Sequence, residues 1–186
     1  MYEKRGKQKL IEQLQAYMPY DELEEKHRDR ILQFLAEYDN NFRRSNLHGH
    51  ITGSALLLNK DKTKVLLNHH RKLNMWMQFG GHADGDADIL GVAIREAQEE
   101  SGIEDIIPVD DSIFDLDVHA IPQAKNGEPE HFHYDIRYFL CTPEANYSVS
   151  KESISMKWVG LREASEILKG KSFVRMIEKW QIIAGV

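Results

Sequence analysis

Apolar residues recur at helical spacing near both ends of the chain, whereas the middle alternates between strand-like runs and turns. Two helical runs precede residue 44, and Pro19 separates them, with Asp21 placed to cap the second run. Their apolar positions are Leu10, Ile11, Leu14 and Met18, then Ile31, Leu32, Leu35 and Tyr38. We expect residues 1–44 to form a helical extension packed on the core; a partner-binding or dimer arm is the alternative.

Residues 45–186 show the pattern of a domain built on a sheet. An apolar run over 51–58, a polar turn at 59–62 and a second apolar run from Val65 predict a β-hairpin. The further predicted elements are a glycine-rich segment over 79–85, a helix over 89–101 closed by Gly102, strands over 113–121, 131–141 and 155–159, a turn over 125–129, and helices over 161–168 and 173–183. This order indicates an α+β fold in which helices cover a mixed sheet.

The length and amino-acid composition of the chain indicate its general class of protein. The 186-residue length fits one main core, and 41% hydrophobic and 29% charged residues are typical of a soluble globular protein. No apolar run reaches the roughly 20 residues of a membrane-spanning helix. The charged N-terminus has no apolar stretch behind it, so we expect no secretory signal and a cytoplasmic location. The single cysteine, Cys141, excludes an internal disulfide and is expected to be buried in a strand.

The charge balance bears on the partners of the protein. A formal net charge of −6 gives no basic field for nucleic acid, so a long nucleic acid is not an expected partner. An acidic protein that binds phosphate groups needs a bound cation or a few focused basic side chains. The charge therefore favours a metal ion.

Three glutamates carry the clearest chemical signal. Glu96, Glu99 and Glu100 stand at positions i, i+3 and i+4 of the predicted helix and must share a face. Like charges at this spacing repel, and a hard divalent cation such as Mg²⁺ or Mn²⁺ offsets that repulsion with carboxylate ligands. Taken alone, two or three glutamates on a helix are more often a solvated face.

The flanking residues decide between these interpretations, because the whole run resembles the box of the Nudix hydrolase family, G-x5-E-x7-R-E-U-x-E-E-x-G-U, where U is aliphatic. Eight of the nine fixed positions match: Gly81, Arg95, Glu96, Ala97, Glu99, Glu100, Gly102 and Ile103. The resemblance implies a Nudix-type α/β/α sandwich over residues 45–186. It also implies metal-assisted hydrolysis of a nucleoside diphosphate linked to another moiety.

The resemblance assigns roles to the matching residues. Glu99 and Glu100 are expected as Mg²⁺ or Mn²⁺ ligands, Glu96 as a ligand or general base, and the backbone carbonyl of Gly80 as a further ligand. Gly81, Arg95 and Gly102 are expected to support the box.

One box position departs from the family pattern, because Ala87 replaces the first glutamate. That glutamate tends to brace the loop against the box arginine. Here Asp86 or Asp88 takes over this role, or Arg95 pairs along the helix with Glu99. Asp88 is equally suited to be an N-cap.

A second polar cluster lies on the strand predicted over 131–141. Alternation places His131, His133, Asp135 and Arg137 on one face, either as a solvated face or as a wall that binds substrate. In the second case a histidine touches phosphate, Asp135 or Glu130 supplies a ligand or base, and Arg137 clamps charge. A zinc or iron site on His131, His133 and Asp135 is disfavoured, because such positions spread over roughly 13 Å.

The remaining histidines and basic residues carry less weight. His48, His50, His69 and His70 are expected to be structural; the alternative for His48 and His50 is a place at the border of the site. His82 follows Gly81 and could orient a ligand. Arg43 and Arg44 are expected to form a solvated pair, with contact to a phosphate as the alternative.

Three functions compete on this sequence. A hydrolase of a small nucleotide-type molecule is favoured over an RNA 5′-end pyrophosphohydrolase and over a non-catalytic nucleotide-binding regulator. A homodimer is compatible with the sequence.

Overall fold

The computed structural model describes residues 2–123, 127 and 129–185. Within them the chain divides into two compact units. Unit 1 comprises Met1–Gly53, Gly81–Val92 and Ser112–Tyr138, and unit 2 comprises Ser54–Gly80, Ala93–Asp111 and Phe139–Val186. The predicted turn over 125–129 includes Lys125, Asn126 and Glu128, which lie outside the described residues.

Five helices and eight strands are described. The helices are α1 (Tyr2–Ala16), α2 (Glu22–Glu37), α3 (Ile89–Ser101), α4 (Leu161–Ile167) and α5 (Lys171–Ala184). The strands are β1 (Gly49–Asn59), β2 (Lys64–His70), β3 (Met75–Met77), β4 (Phe79–His82), β5 (Ile107–Pro108), β6 (Asp115–Ile121), β7 (His131–Thr142) and β8 (Ser153–Gly160). The predicted helical N-terminal region and α+β fold class are confirmed.

The strands join in the order β3-β2-β1-β7-β5, with β4 paired to β1, β6 to β7 and β8 to β2. The predicted hairpin is present, because β1 and β2 pair antiparallel with Leu57 opposite Leu66. Sequence patterns missed β3, β4 and β5, which have only three, four and two residues. Such short strands have no room for a period-two pattern.

In unit 1, α1 packs on α2 and α2 packs on β6. Asp21 caps α2 as predicted, since its carboxylate accepts the Glu24 backbone N–H at 2.7 Å. The Glu24 carboxylate is fully buried and accepts from the Tyr17 hydroxyl and the Tyr20 backbone N–H, each at 2.6 Å. It also accepts the Leu116 backbone N–H of β6 at 3.0 Å, so it joins α2 to the sheet.

In unit 2, β2 pairs with β3 and with β8, and α4 packs on β2, β8 and α5. Trp180 of α5 is fully buried, and its indole N–H donates to the Lys62 carbonyl at 2.7 Å. Cys141 lies on β7 as expected, but its side chain is only half-buried.

Among the described residues, no helix combines the length and apolar character that crossing a membrane requires.

Candidate functional site

Helix α3 carries the three predicted glutamates, and its hydrophobic side fixes their orientation. Ile89, Val92, Ala93 and Ala97 are buried, whereas Leu90 and Ile94 are only half-buried. On the carboxylate-bearing side Glu99 is exposed, whereas Glu96 and Glu100 are half-buried. The three carboxylates therefore differ in their exposure to solvent.

Glu100 is held by two donors within unit 2. The Asn68 amide donates to Oε2 at 2.7 Å, and the Gly80 backbone N–H donates to Oε1 at 3.1 Å. Burial raises the pKa of the Glu100 carboxyl to about 7, against the lowering effect of these hydrogen bonds and with a further increase from the Glu96 charge. Without a cation nearby, the ionised form of this carboxyl is disfavoured.

Gly80 sits where only glycine fits. Its φ is +156°, and a Cβ there would lie 2.8 Å from the Cα of Ser54. This close approach brings the Gly80 N–H to Glu100. The predicted role of the Gly80 carbonyl as a metal ligand stays a prediction.

One buried acceptor beside Glu100 favours a cation there. The amide oxygen Oδ1 of Asn68, whose amide nitrogen donates to Glu100, is buried and finds no hydrogen-bond partner among the described residues. Unpaired buried acceptors cost free energy unless a donor or a cation satisfies them. Carboxylate and amide oxygens are also the donors that Mg²⁺ and Mn²⁺ prefer, so the residues present fit the implied metal.

Arg95 pairs along its own helix. Its Nη2 lies 3.0 Å from Oε1 of Glu96, and its Nε lies 3.9 Å from Oε1 of Glu99. The sequence left open which carboxylate accompanies Arg95 when Ala87 replaces the first box glutamate. The structure contains the Arg95–Glu99 pair. Asp88 acts as an N-cap, accepting the Gly91 backbone N–H at 3.4 Å, and Asp86 accepts the Asp88 backbone N–H at 3.0 Å.

Helix α1 occupies the space beside Ala87. A Cβ on Gly6 would lie 3.1 Å from the Ala87 carbonyl oxygen and would overlap the Ala87 methyl group. The Ala87 side chain is also buried. A glutamate has no room here, which gives a physical reason for the departure from the box.

The supporting glycines have different surroundings. Gly102 ends α3 in a left-handed conformation at φ +68°, and its N–H donates to the Gln98 carbonyl at 2.8 Å, as the sequence predicted for a C-terminal cap. Gly81 is part of β4.

On the polar face of β7, His131, Asp135 and Arg137 are buried and His133 is half-buried. Arg137 is 3% exposed and donates to Asp135 at 2.7 Å and to Asp115 and Asp117 at 3.0 Å each. Thr52 donates to the other Asp135 oxygen at 2.8 Å. Sequence reasoning did not include Asp115 and Asp117, although alternation along β6 places them on one face.

Histidines from separate strands meet in unit 1. His50 of β1, His82 of β4 and His133 of β7 have ring centroids 4.9 to 5.0 Å apart. His131 lies 4.9 Å from His50 by the same measure. No sequence pattern signalled this group, because up to 83 residues separate its members.

The basic pair before β1 is engaged by carboxylates. Arg44 forms a two-point contact with Asp84, with one bond of 2.7 Å, and Arg43 lies 3.1 Å from Glu3.

Comparison with known proteins gives this geometry a family. A family model for the NUDIX domain matches residues 49–181. A NUDIX-family hydrolase from Clostridium perfringens is 24% identical with a TM-score of 0.54, covering 74% of this chain and 99% of its own. A Caenorhabditis elegans Ap4A hydrolase in a binary complex is 22% identical with a TM-score of 0.55, at 73% and 98% coverage. A MutT protein from Methanosarcina mazei is 22% identical with a TM-score of 0.57, at 73% and 94%.

The comparison with curated proteins found no match. The solved structures share the fold, and the family model covers most of the chain, including the whole box and helix α3. The resemblance stated from the sequence is therefore confirmed, and the chain belongs to the NUDIX family of hydrolases.

Proposed function

We propose that this hydrolase cleaves the diphosphate linkage of a small nucleoside-diphosphate-type substrate and that it depends on Mg²⁺ or Mn²⁺. Glu99 and Glu100 act as metal ligands, Glu96 as a ligand or general base, and the Gly80 carbonyl as a backbone ligand. The observation that carries the proposal is the half-buried Glu100 carboxyl, held by an Asn68 whose own amide oxygen is buried and unpaired among the described residues.

When bound, the divalent ion supplies charge neutralisation for the diphosphate and lowers the pKa of a water molecule. The chain contributes the rigidity of the ligands. Asn68 and the Gly80 N–H fix both Glu100 oxygens, and Arg95 holds Glu96 and keeps Glu99 close. Pre-positioned ligands reduce the reorganisation that the reaction requires.

That the substrate contains a nucleotide is a proposal that rests on the family to which the chain belongs. His131, His133, Asp135 and Arg137 were expected to bind substrate. The Arg137 donors are directed to three carboxylates, so we propose that Asp135 and Arg137 hold β6 and β7 in register. Contact with substrate then falls to the histidines of β7.

Hydrolysis assays on variants of the box test this proposal. Wild-type protein with Mg²⁺ or Mn²⁺ is offered nucleoside triphosphates, nucleoside diphosphate sugars, ADP-ribose, dinucleoside polyphosphates and capped RNA. We expect turnover on at least one small molecule, and a loss of at least about 100-fold in Glu99→Gln and in Glu100→Gln.

The matched control is Glu104→Gln, an exposed glutamate just beyond the box, which should keep wild-type activity. Circular dichroism should show folded protein in all three variants. If only capped RNA is hydrolysed, the proposed small-molecule substrate class is wrong. Full activity in both box variants would refute the proposed metal-ligand role of Glu99 and Glu100.

A further inference from the structure

We infer that His50, His82 and His133 form a second metal site, which takes a divalent transition-metal ion of the zinc class through imidazole nitrogens. This inference does not rest on the proposed hydrolase reaction, because it concerns imidazole nitrogens rather than the carboxylates of the box. Only His133 is shared with the residues proposed to contact substrate. Imidazole ligands suit zinc, copper, iron and nickel, whereas carboxylate and carbonyl oxygens suit magnesium and manganese.

The three rings converge from β1, β4 and β7. One ring nitrogen from each histidine lies within 4.8 Å of the other two. Three atoms no farther apart than this lie within about 2.8 Å of a common point, and a zinc–nitrogen bond measures about 2.0–2.1 Å. Movement of each ring by less than about 1 Å therefore completes a three-histidine site.

Ring nitrogens of His50 and His133 are buried without satisfying contacts. His50 is 2% exposed, and neither of its ring nitrogens has a hydrogen-bond partner among the described residues. The same holds for the buried Nε2 of His133. Burying an imidazole nitrogen without a partner costs free energy, and a bound metal ion removes that cost at the nitrogen that ligates it.

The protonation state favours a cation over a phosphate group. Burial, together with the neighbouring histidines, lowers the pKa of His50 to about 4 and that of His133 to about 2. Both rings are therefore neutral near pH 7, and neutral imidazole is the form that binds metal. A neutral imidazole offers an anion only one N–H donor and no charge, whereas its unprotonated nitrogen can ligate a metal ion.

The surrounding charge also favours a cation. On β6 and β7, His119 stands opposite His133 and Asp117 stands opposite Asp135. The adjoining buried ladder consists of Asp115, Asp117, Asp135 and Arg137. Three carboxylates around one guanidinium leave a formal charge of −2 beside neutral imidazoles, which a divalent ion at the histidines would offset.

Binding of zinc and cobalt tests the site in the full chain. The background variant Glu99→Gln/Glu100→Gln removes carboxylate ligands, and calorimetry with ZnCl₂ measures the remaining binding. We expect one equivalent of Zn²⁺ per chain, at least about 100-fold weaker binding after His133→Gln, and unchanged binding after the control His69→Gln. Co²⁺ absorption and zinc X-ray absorption should report nitrogen ligands.

A second variant separates metal binding from any effect on folding. We compare the Zn²⁺-induced rise in Tm within each protein, so a change in basal stability does not enter the result. The rise should be present in the background variant and absent after His50→Leu. Failure of the background variant to bind Zn²⁺, an oxygen-only ligand shell, or a rise that survives both His50→Leu and His133→Gln would overturn the inference.

The two proposals fail separately. If no substrate is hydrolysed in any assay, Zn²⁺ binding to the Glu99→Gln/Glu100→Gln background can still be measured and still tests the histidine site. Conversely, absence of Zn²⁺ binding leaves the Mg²⁺-dependent assay unaffected.

Discussion

At the scale of single residues, Asn68 has the most specific part in the candidate active site. It donates to Glu100 at 2.7 Å from a position 32 residues earlier in the chain. Its remaining oxygen is buried and has no partner among the described residues. Asn68 is a positioning residue, because it orients the one glutamate that burial would otherwise keep protonated.

Replacing Asn68 by leucine should raise the Mg²⁺ concentration needed for half-maximal activity about 10- to 100-fold, since loss of an outer-shell partner weakens metal binding by this factor. The measurement is activity against Mg²⁺ concentration at saturating substrate. Asn41→Leu is the matched control. Asn41 is also buried, with one oxygen unpaired among the described residues, and donates to the Phe34 carbonyl at 2.8 Å.

The control should lower stability without changing the Mg²⁺ requirement. An unchanged requirement in Asn68→Leu would show that Glu100 does not need this donor for metal binding.

At the scale of secondary structure, helix α1 determines what the Nudix box can contain at Ala87. The backbone of α1 at Gly6 touches Ala87 closely enough that neither position can take a larger side chain without movement. The box glutamate is therefore replaced because another helix fills its place. A local motif depends here on an element about 80 residues away in the sequence.

Restoring the box glutamate should harm the protein. We expect Ala87→Glu to lower the free energy of unfolding by at least about 3 kcal/mol, because it combines overpacking with a buried charge. Urea unfolding measures this loss. Asp86→Glu, which only lengthens the neighbouring acidic side chain by one methylene, should cost less than about 1 kcal/mol. A stable Ala87→Glu variant would mean that α1 moves away from residue 87 at little cost in free energy.

At the scale of the whole molecule, stability should depend on pH through the buried charges of β6 and β7. Burial alone would raise the pKa of Asp117, but the hydrogen bond from His119 and the charges of Arg137, His119 and His27 hold it well below its usual range. A carboxylate with a lowered folded-state pKa stabilises the fold above its unfolded pKa. That contribution is lost as the pH falls towards the folded-state pKa.

The stability difference between wild type and Asp117→Asn tests this dependence. It should shrink as the pH falls below about 4, the ordinary pKa region of an aspartate in the unfolded chain. Chemical unfolding at each pH gives the values. The exposed control Asp111→Asn should remain within about 0.5 kcal/mol of wild type. A difference for Asp117→Asn that grows as the pH falls below about 4 would contradict a lowered folded-state pKa.

The sequence by itself determined the features that depend on local spacing. The i, i+3, i+4 glutamates, the Asp21 cap, the left-handed Gly102 and the β1–β2 hairpin all follow from interactions over a few residues. The box spacing added the family, because its nine positions also lie within one short segment. These predictions needed no knowledge of how distant segments meet.

The tertiary structure alone decided which distant residues meet. Glu24 of α2 is buried against β6, which no local pattern indicated. Arg137 pairs with three carboxylates that lie on two strands. The group of His50, His82 and His133 likewise exists only because three strands bring these positions together. Burial and pairing depend on neighbours that local periodicity does not specify, and those neighbours set whether a polar side chain is solvated, structural or chemical.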